Sequence, residues 1–293
     1  MKSARFLLLF MVVMLAACRT GAQGPAAPAG GSMYIQNKGS DTMVNLALAW
    51  AERYQAEHPE VSLSVTGGGS GTGIAALVNG TVDIANASRA MKSEETQQAI
   101  TNGITPVEFT VARDAIAVVV NSENPVHELT LQQISDIYSG KIDNWLQVGG
   151  DDRPIVRLSR ETNSGTHVYF LETVLRLGDK TNPTLFSTDT LLLPSSEVII
   201  NEVRQNPNAI GYDGLGYIPP DLMDSVIAIA RDASGPFVTP SITSVNDGSY
   251  PVARDLYMYT AGEPTGAIKD YINWILSAEA QAIVADLGFV PIK

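Results

Sequence analysis

Apolar and polar positions along this chain fall into short strand-like runs that alternate with longer helical runs. Val61–Val65 alternates strictly between the two kinds of residue, which is typical of a strand, and Ile74–Asn79 predicts a short helix. The strands predicted before residue 90 are Met33–Asn37, Val61–Val65 and Val82–Ala85, and the helices predicted before residue 102 are Met43–Glu57, Ile74–Asn79 and Ser93–Thr101. The order β-α-β-α-β indicates an α/β fold with a parallel sheet.

A glycine-rich loop, Gly67–Gly73, connects the second strand to its helix. Glycines let a ligand approach the backbone, and a helix start presents unpaired N–H groups at the positive end of the helix dipole, so the loop suits an anion. The alternative is a tight turn with an N-cap. A nucleotide P-loop is excluded, because Ile74 stands where the lysine belongs. Gly71, Gly73 and Ala76 fit a loose dinucleotide fingerprint, which keeps a dinucleotide-dependent enzyme as an alternative.

The same chemistry recurs at other strand ends. Ser40-Asp41-Thr42 follows the first strand, Ser88-Arg89 follows the third, and a fourth segment, Ser159–Thr166, precedes a later helix. Carboxyl ends of parallel strands lie at one edge of a sheet, where ligands bind, so we expect these segments to meet. The guanidinium of Arg160 then offers a fork of donors to an oxyanion, although a surface ion pair is the alternative.

The rest of the chain predicts a second lobe. Ile104–Val120 is a long β-rich run that Arg113 and Asp114 interrupt, and we expect the chain to cross between lobes there. Further strands are predicted at Pro154–Leu158, Ile210–Tyr212, Val226–Ala230 and Tyr250–Thr260, and further helices at Leu129–Ser139, His167–Leu177, Ser196–Arg204, Glu263–Leu276 and Ala278–Asp286. No internal repeat is present.

The N-terminus has the pattern of a lipoprotein signal peptide. Lys2 and Arg5 precede the apolar run Phe6–Leu15, and small residues then lead to Cys18, the only cysteine of the chain. This resembles a bacterial lipobox, in which Cys18 becomes the lipid-bearing (palmitate-carrying) first residue; a signal peptide cleaved elsewhere is the alternative. We therefore assign 1–17 to the signal peptide and 18–32, rich in Gly, Ala and Pro, to a flexible tether.

Charge and composition narrow the function. The net charge of −12 argues against nucleic acid and anionic lipid as partners, so an anionic ligand has to be held by local hydrogen bonds. No Cys, His or carboxylate cluster has metal-ligand spacing, and Ser70 lacks the Gly-x-Ser-x-Gly pattern. His58 and His127 are expected at the surface, and only His167 lies next to the candidate site. Donors without a nucleophile and base indicate a binding protein.

Several motifs in a fixed order extend this hypothesis to a family. They are the lipobox, Gly39–Met43, Gly67–Gly73, Ala87–Met91, Tyr138–Lys141 with Asn144-Trp145, Arg160 with Ser164–Thr166, and Ile210–Tyr212 with Gly216-Tyr217. Together they resemble the phosphate-binding proteins of bacterial phosphate ABC transporters, over essentially all of residues 33–293. The resemblance implies an α/β, two-lobed periplasmic-binding-protein (type II) fold with hinge-connecting strands and the ligand cleft between lobes. Lobe 1 would comprise 33–112 plus about 228–293, and lobe 2 about 113–227.

The resemblance also implies a site. The phosphate contacts carried over from the family are Thr42, Ser70, Arg160, Ser164, Gly165 and Thr166, and the helix-start segments add Ser40, Asp41, Ser88 and Arg89 to the phosphate-binding residues that we expect. Arg89 stands where the family has an aspartate that accepts the proton of phosphate and excludes sulfate. Asp41 is the nearest replacement, Glu161 is a weaker one, and a helix-capping role for Asp41 is the alternative. His167 replaces an arginine that is common in the family, which removes a positive charge near the rim.

The resemblance thus implies high-affinity binding of inorganic phosphate outside the cytoplasmic membrane. Delivery to the permease and ATPase of a phosphate ABC transporter follows from the resemblance. We expect a lipid-anchored monomer in the periplasm or on the outer cell surface, with no metal, no cofactor and no enzymatic activity. The alternatives are a binding protein for another tetrahedral oxyanion, a phosphatase and the dinucleotide-dependent enzyme.

Overall fold

A computed structural model describes residues 33–292 of the chain. The strands are β1 Met33–Gly39, β2 Val61–Thr66, β3 Ile84–Ala87, β4 Val107–Val120, β5 Glu128–Thr130, β6 Val156–Arg160, β7 Leu191–Leu193, β8 Ala209–Gly214, β9 Ala228–Ala230 and β10 Ala253–Thr260. The α-helices are α1 Val44–Glu57, α2 Ser70–Val78, α3 Ser93–Thr101, α4 Leu131–Tyr138, α5 Gly165–Phe170, α6 Ser196–Gln205, α7 Ile242–Asn246, α8 Gly266–Ile275 and α9 Ala278–Asp286. The predicted signal peptide, Cys18 and the tether lie outside the described residues.

The long strands form one sheet with two parallel sections. Its order is β2-β1-β3-β10-β4-β8-β6-β7. β1 pairs in parallel with β2 and β3, and β6 pairs in parallel with β7 and β8. β10 and β4 lie between the two sections. β10 pairs antiparallel with β3 and with β4, and β4 pairs antiparallel with β8. The carboxyl ends of β1, β2, β3 and β6 are therefore the strand ends that carry the Ser/Thr segments.

β4 links the two sections without a break. Val107–Ala115 lies opposite β10, and Ile116–Val120 lies opposite β8. The interruption expected at Arg113 and Asp114 is absent, because both residues keep their places in the ladder with β10. The change of partner from β10 to β8 nevertheless comes shortly after them, between Ala115 and Ile116, close to the position where we expect the chain to cross between lobes.

Buried apolar residues form separate cores around the two sections. One core packs Trp50 and Tyr54 of α1 against Met258 of β10 and Tyr271 of α8. A second contains Val118 of β4 with residues that the other section supplies, which are Tyr138, Trp145, Phe170, Tyr212 and Ile229. The second core extends to Tyr250 and Val252, and β9 pairs with β5. This packing favours a return of the chain to the first lobe near Ala253 and not near residue 228.

Helix boundaries follow the local signals closely where caps are clear. α3 and α9 have the predicted bounds, and Ser277 caps α9 by accepting a hydrogen bond from the Ala280 amide. α2 begins four residues earlier than predicted, at Ser70. Gly69 precedes it with a φ of 90°, a conformation that glycine adopts at little cost, so the glycine loop ends directly in the helix. Within residues 33–292 no helix is long and apolar enough to cross a membrane.

Candidate ligand-binding site

Three helix starts from different strand ends converge in the structure. β1 leads into a 3-10 helix at Asp41–Met43, β2 leads into α2 at Ser70, and β6 leads into α5 at Gly165. The hydroxyl oxygens of Thr42 and Thr166 lie 2.7 Å apart, although 124 residues separate them. The expectation that these segments meet at one edge is therefore confirmed.

Buried serine hydroxyls lie beside this contact. Ser70 Oγ is 3.2 Å from Ser88 Oγ and accepts a hydrogen bond of 3.0 Å from the Ser88 amide. Thr42, Ser70, Ser88 and Thr166 are all at most 1% exposed. Ser40 is also buried, but it makes no side-chain capping bond to the 3-10 helix that follows it. A buried hydroxyl needs partners, so this cluster is poised to hydrogen-bond a polar ligand.

Gly165 is required by close packing at the start of α5. A Cβ at this position would lie 2.3 Å from Ser70 Oγ and 2.6 Å from Ser88 Oγ, so any other residue would force both serine side chains to move. Ser164 caps the helix by accepting a hydrogen bond from the Thr166 amide. The α5 start thus lies directly against the α2 start, and the backbone bond from the Gly71 amide to the Asn163 carbonyl, 3.0 Å long, holds them together.

Arg160, at the end of β6, is almost fully buried and makes several hydrogen bonds. Its guanidinium donates to Ser196 Oγ, to Asp41 Oδ2 and to the Pro194 carbonyl at 2.8, 2.8 and 3.0 Å. Asp213 Oδ2 lies 3.5 Å from Nη1. Nε is buried and has no hydrogen-bond partner among the described residues, so it remains available to a ligand. The surface-ion-pair alternative for Arg160 is wrong, since the side chain is 1% exposed.

Asp41 connects the two sections of the structure. One carboxylate oxygen accepts the Gly68 amide at 2.9 Å, and the other accepts Arg160. Tyr217 donates to the Asp41 carbonyl at 2.6 Å. The capping alternative is wrong in its geometry, because the carboxylate bonds to the glycine loop and not to its own helix. Glu161, the weaker candidate for the acceptor, is exposed.

Arg89 does not join this cluster. It makes a two-point ion pair with Glu95 of α3, at 2.8 and 2.6 Å, and donates to the Ala90 carbonyl. Burial raises the pKa of Glu95, but hydrogen bonds from Arg89 and the Lys92 amide, together with the Arg89 charge, leave that pKa below its usual value. Glu95, six residues along the chain, therefore engages both terminal nitrogens of Arg89, while the buried Nε has no hydrogen-bond partner among the described residues.

Sequence reasoning missed a buried pair, Asp114 and Arg254. The two residues lie opposite each other in the β4–β10 ladder, and Arg254 Nη2 donates at 3.0 Å both to Asp114 Oδ2 and to Thr166 Oγ1. Arg254 Nε and Nη1 have no hydrogen-bond partner within the described part of the chain. Burial raises the pKa of Asp114 to about 6, with a smaller upward effect from Asp213 against the lowering effect of Arg254. The sequence signal that could have revealed this pair is the presence of ionisable residues within runs of apolar strand residues.

The histidines have no place in the site. His58 and His127 are at the surface, as expected. His167 lies inside and not at a rim: Nδ1 is 3.0 Å from Ser159 Oγ, and the ring stacks on Phe186. Burial lowers its pKa, which favours the neutral ring. Among residues 33–292 no group of three or more His, Cys, Asp and Glu side chains is arranged to hold a metal ion.

Fold and site together define an α/β solute-binding protein with two lobes and a polar cleft between them. A model of the PBP superfamily domain matches residues 24–279. Phosphate-binding protein PstS of Pseudomonas aeruginosa is 31% identical over 94% of this chain and 90% of its own length, and that of Bacillus subtilis is 32% identical over 90% and 82%. The chain belongs to this superfamily and, within it, to the PstS-like phosphate-binding proteins.

Solved structures support the same assignment. A structure from Clostridium perfringens, described as a substrate-binding protein of a phosphate ABC transporter with bound phosphate, is 34% identical, with a TM-score of 0.78 over 89% of this chain and 100% of that one. An ABC-type phosphate transport receptor from Vibrio cholerae is 30% identical, with a TM-score of 0.69 over 87% and 99%. The two-lobed type II fold expected from the sequence is confirmed.

Proposed function

We propose that this protein binds inorganic phosphate with high affinity outside the cytoplasmic membrane and delivers it to the permease and ATPase of a phosphate ABC transporter. The observation that carries the proposal is the convergence of buried hydroxyl donors and helix-start amides around Gly165, beside two buried arginines. The relatives that are named as phosphate-binding proteins support the same ligand.

The proposed ligand site uses local donors to hold an anion in a protein of net charge −12. The residues assigned to it are Ser40, Asp41, Thr42, Ser70, Ser88, Arg160, Ser164, Gly165, Thr166 and, in addition to the sequence-based set, Arg254. Hydrogen bonds to a charged group contribute about 1.5–3 kcal/mol each, so a few well-aimed donors suffice for tight binding. The free N–H groups of Arg160 and Arg254 supply the positive charge that the hydroxyls lack. Arg89 is left out because Glu95 holds it.

Closure of the cleft is proposed to trap the ligand, as in other hinged binding proteins. Contacts that join the two sides are the Asp41–Arg160 ion pair and the Gly71–Asn163 backbone bond. We place lobe 1 at 33–112 together with about 253–293, and lobe 2 at about 113–252, since β9 packs with β5. These contacts form only when the lobes meet, so they help to stabilise the closed form.

The hydrogen-bond partners of the clustered hydroxyl groups favour binding over hydrolysis. Nucleophilic catalysis needs a serine or threonine next to a base. Among the described residues no hydroxyl of the cluster is hydrogen-bonded to a histidine or a carboxylate, and His167 bonds to Ser159 instead. This favours a binding protein over the phosphatase alternative.

The decisive experiment is calorimetry of the refolded, phosphate-stripped body, residues 33–293, with phosphate, sulfate and NAD added in turn. One phosphate per chain, no binding of NAD and no release of product is the expected result. Binding of sulfate as tight as that of phosphate would make the protein a general oxyanion binder, and turnover of a phosphate ester would make it an enzyme.

Lipid anchoring through Cys18 is proposed from the lipobox pattern alone. Cys18→Ser should release the protein from membranes in soluble or uncleaved form, because no other cysteine is available for acylation. The measurement is membrane fractionation with mass spectrometry of the N-terminal peptide. A wild-type protein without lipid on residue 18 that still fractionates with membranes would contradict the proposal.

A further inference from the structure

We propose that Asn163 holds the glycine-rich loop Gly67–Gly73 across the cleft and sets how long phosphate stays bound, without contacting the phosphate itself. The inference deepens the proposed function and rests on it, because it concerns the release of the same ligand. The glycine-rich loop then has a role besides anion binding, as the surface on which the segment before α5 docks.

Asn163 meets the glycine-rich loop through its backbone and through its side chain. Its carbonyl oxygen accepts the Gly71 amide at 3.0 Å, and its Nδ2 donates to the Gly68 carbonyl at 2.9 Å. Thr72 Oγ1 lies 3.4 Å from the same nitrogen. Asn163 and Gly68 are 95 residues apart, so only the tertiary structure brings them together. Since the Gly71 amide already donates to Asn163, it is not a donor to the ligand.

The glycines of the loop make this close approach possible. A Cβ on Gly69 would lie 2.8 Å from the Asn163 carbonyl oxygen, and a Cβ on Gly71 would lie 3.2 Å from it. Gly69 also has a φ of 90°, which other residues rarely adopt. Glycine at these two positions is therefore what docking of Asn163 requires.

Asp41 fixes the loop from another side. Its Oδ1 accepts the Gly68 amide at 2.9 Å, and a Cβ on Gly67 would lie 2.3 Å from this oxygen. Its Oδ2 accepts Arg160 at 2.8 Å, and Arg160 precedes Asn163 in the same segment. This segment therefore engages the glycine-rich loop twice, directly through Asn163 and indirectly through Asp41.

The segment that carries Asn163 continues into the proposed ligand site. The hydroxyl of Thr166 lies 2.7 Å from that of Thr42, and both residues are assigned to phosphate. Bound phosphate thus keeps the start of α5 against the helix start after β1, and in this arrangement Asn163 reaches the glycine-rich loop. A contact made only in the closed arrangement slows opening and hence release, but leaves the encounter with free phosphate unchanged.

The test measures phosphate release and association in wild type, Asn163→Ala, Gly71→Ala and Thr162→Ala. Each protein is loaded with radiolabelled phosphate and chased with unlabelled phosphate. Asn163→Ala should release phosphate about threefold to tenfold faster than wild type, with an association rate constant within about twofold. Gly71→Ala should also release it faster, because the new Cβ pushes the Asn163 carbonyl away. Thr162→Ala, the exposed neighbour of Asn163, is the control and should behave as wild type.

Thermal melting of the phosphate-stripped proteins separates this role from a purely structural one. Stripped Asn163→Ala should melt at the wild-type temperature, because the contact is absent while the lobes are apart. Stripped Gly71→Ala should melt no lower than wild type, since Gly71 lies in α2 without a positive φ and alanine favours a helix. A loss of melting temperature in stripped Asn163→Ala as large as in the phosphate-bound protein would overturn the inference.

The kinetic outcomes also distinguish the inference from the proposed function. Wild-type release rates in folded Asn163→Ala and Gly71→Ala would overturn the inference and leave phosphate binding intact. Slower association in Asn163→Ala would show that this residue meets the incoming phosphate, and it would overturn the inference as well. A wild type that binds no phosphate would overturn the function and the inference together.

Discussion

Two aspartate–arginine pairs flank the proposed ligand site, and they are held by different parts of the fold. Asp114 and Arg254 are cross-strand neighbours in the β4–β10 ladder, and neither is exposed beyond 6%. Asp41 and Arg160 come from the ends of β1 and β6, which we assign to different lobes, and the Asp41 side chain is 18% exposed. Sheet register positions the first pair, where β4 and β10 pass between the proposed lobes, whereas we propose that the second pair forms only while the lobes are together.

The comparison teaches that one kind of chemical pair can serve two purposes. We propose that a pair fixed by backbone register keeps its geometry when the lobes close, so that the N–H groups of Arg254 that have no partner among the described residues stay available to the ligand. A pair made across a cleft adds its interaction only to the closed form and so acts on the equilibrium between open and closed lobes. The four predictions below test this division, from the largest expected effect to the smallest.

Removing Arg254 should destabilise the protein most. Arg254→Ala leaves Asp114 buried without its partner, and breaking a buried pair in this way costs about 3–5 kcal/mol. Denaturant unfolding measures the loss. Arg113→Ala is the control, since Arg113 is the neighbour of Asp114, is only half-buried and contacts Asn246, and it should lose well under about 1 kcal/mol. Equal losses in the two variants would show that the ladder pair contributes no special stability.

Removing Arg160 should weaken binding and also destabilise the fold, because it leaves the fully buried Asp213 without the cation 3.5 Å away, so unfolding is measured alongside. Arg160→Ala should weaken phosphate binding by about 1.5–3 kcal/mol, the range for a hydrogen bond to a charged group. Calorimetry measures it, with Arg89→Ala as the matched control at the other serine–arginine segment. Because Glu95 holds Arg89, that variant should stay within about threefold of wild type, which corresponds to well under 1 kcal/mol. A comparable loss of phosphate affinity in Arg89→Ala would show that Arg89 contacts the ligand.

The buried pair should also make stability depend on pH. The folded-state pKa of Asp114 is raised from 3.8 to about 6, so the folded state holds the proton more strongly than the unfolded chain. The contribution of this group therefore favours folding below about pH 4 and is lost as the pH rises through 6. Relative to Asp114→Asn, wild type should lose on the order of 1–3 kcal/mol of unfolding free energy between pH 4 and pH 7. A constant difference between the two proteins would contradict the shifted pKa.

Asp41→Asn should have the smallest effect and only on the closed form. The amide oxygen can still accept the Gly68 N–H, and Asp213 remains 3.5 Å from Arg160, so the main loss is one hydrogen bond to Arg160, which costs about 1 kcal/mol. Stopped-flow release of phosphate should become faster, with the sulfate-to-phosphate ratio and the unfolding midpoint nearly unchanged. A sulfate-to-phosphate affinity ratio that shifts toward sulfate would instead support Asp41 as the residue that accepts the hydrogen bond from the proton of phosphate.

Local sequence determined most of the elements and the helix starts of this protein, although it did not predict β7 Leu191–Leu193 or α7 Ile242–Asn246. Ser40, Ser70, Ser88 and Ser164 could all be placed at the ends of strands, because strand periodicity, glycine conformation and helix capping depend on neighbouring residues. Their meeting at one edge followed from the parallel order of the strands. These rules act over a few residues, and a single sequence contains everything that they need.

Only the tertiary structure decided which partners the charged side chains have. Arg89 and Arg160 look alike in sequence, yet Arg89 pairs with Glu95, whereas Arg160 bonds to Ser196 and Asp41 beside the Thr42–Thr166 contact. Asp114 and Arg254 are 140 residues apart and meet through sheet register. A guanidinium or carboxylate binds whichever partner packing brings within hydrogen-bond distance, and that distance is set by the three-dimensional arrangement of the strands, not by spacing along the chain.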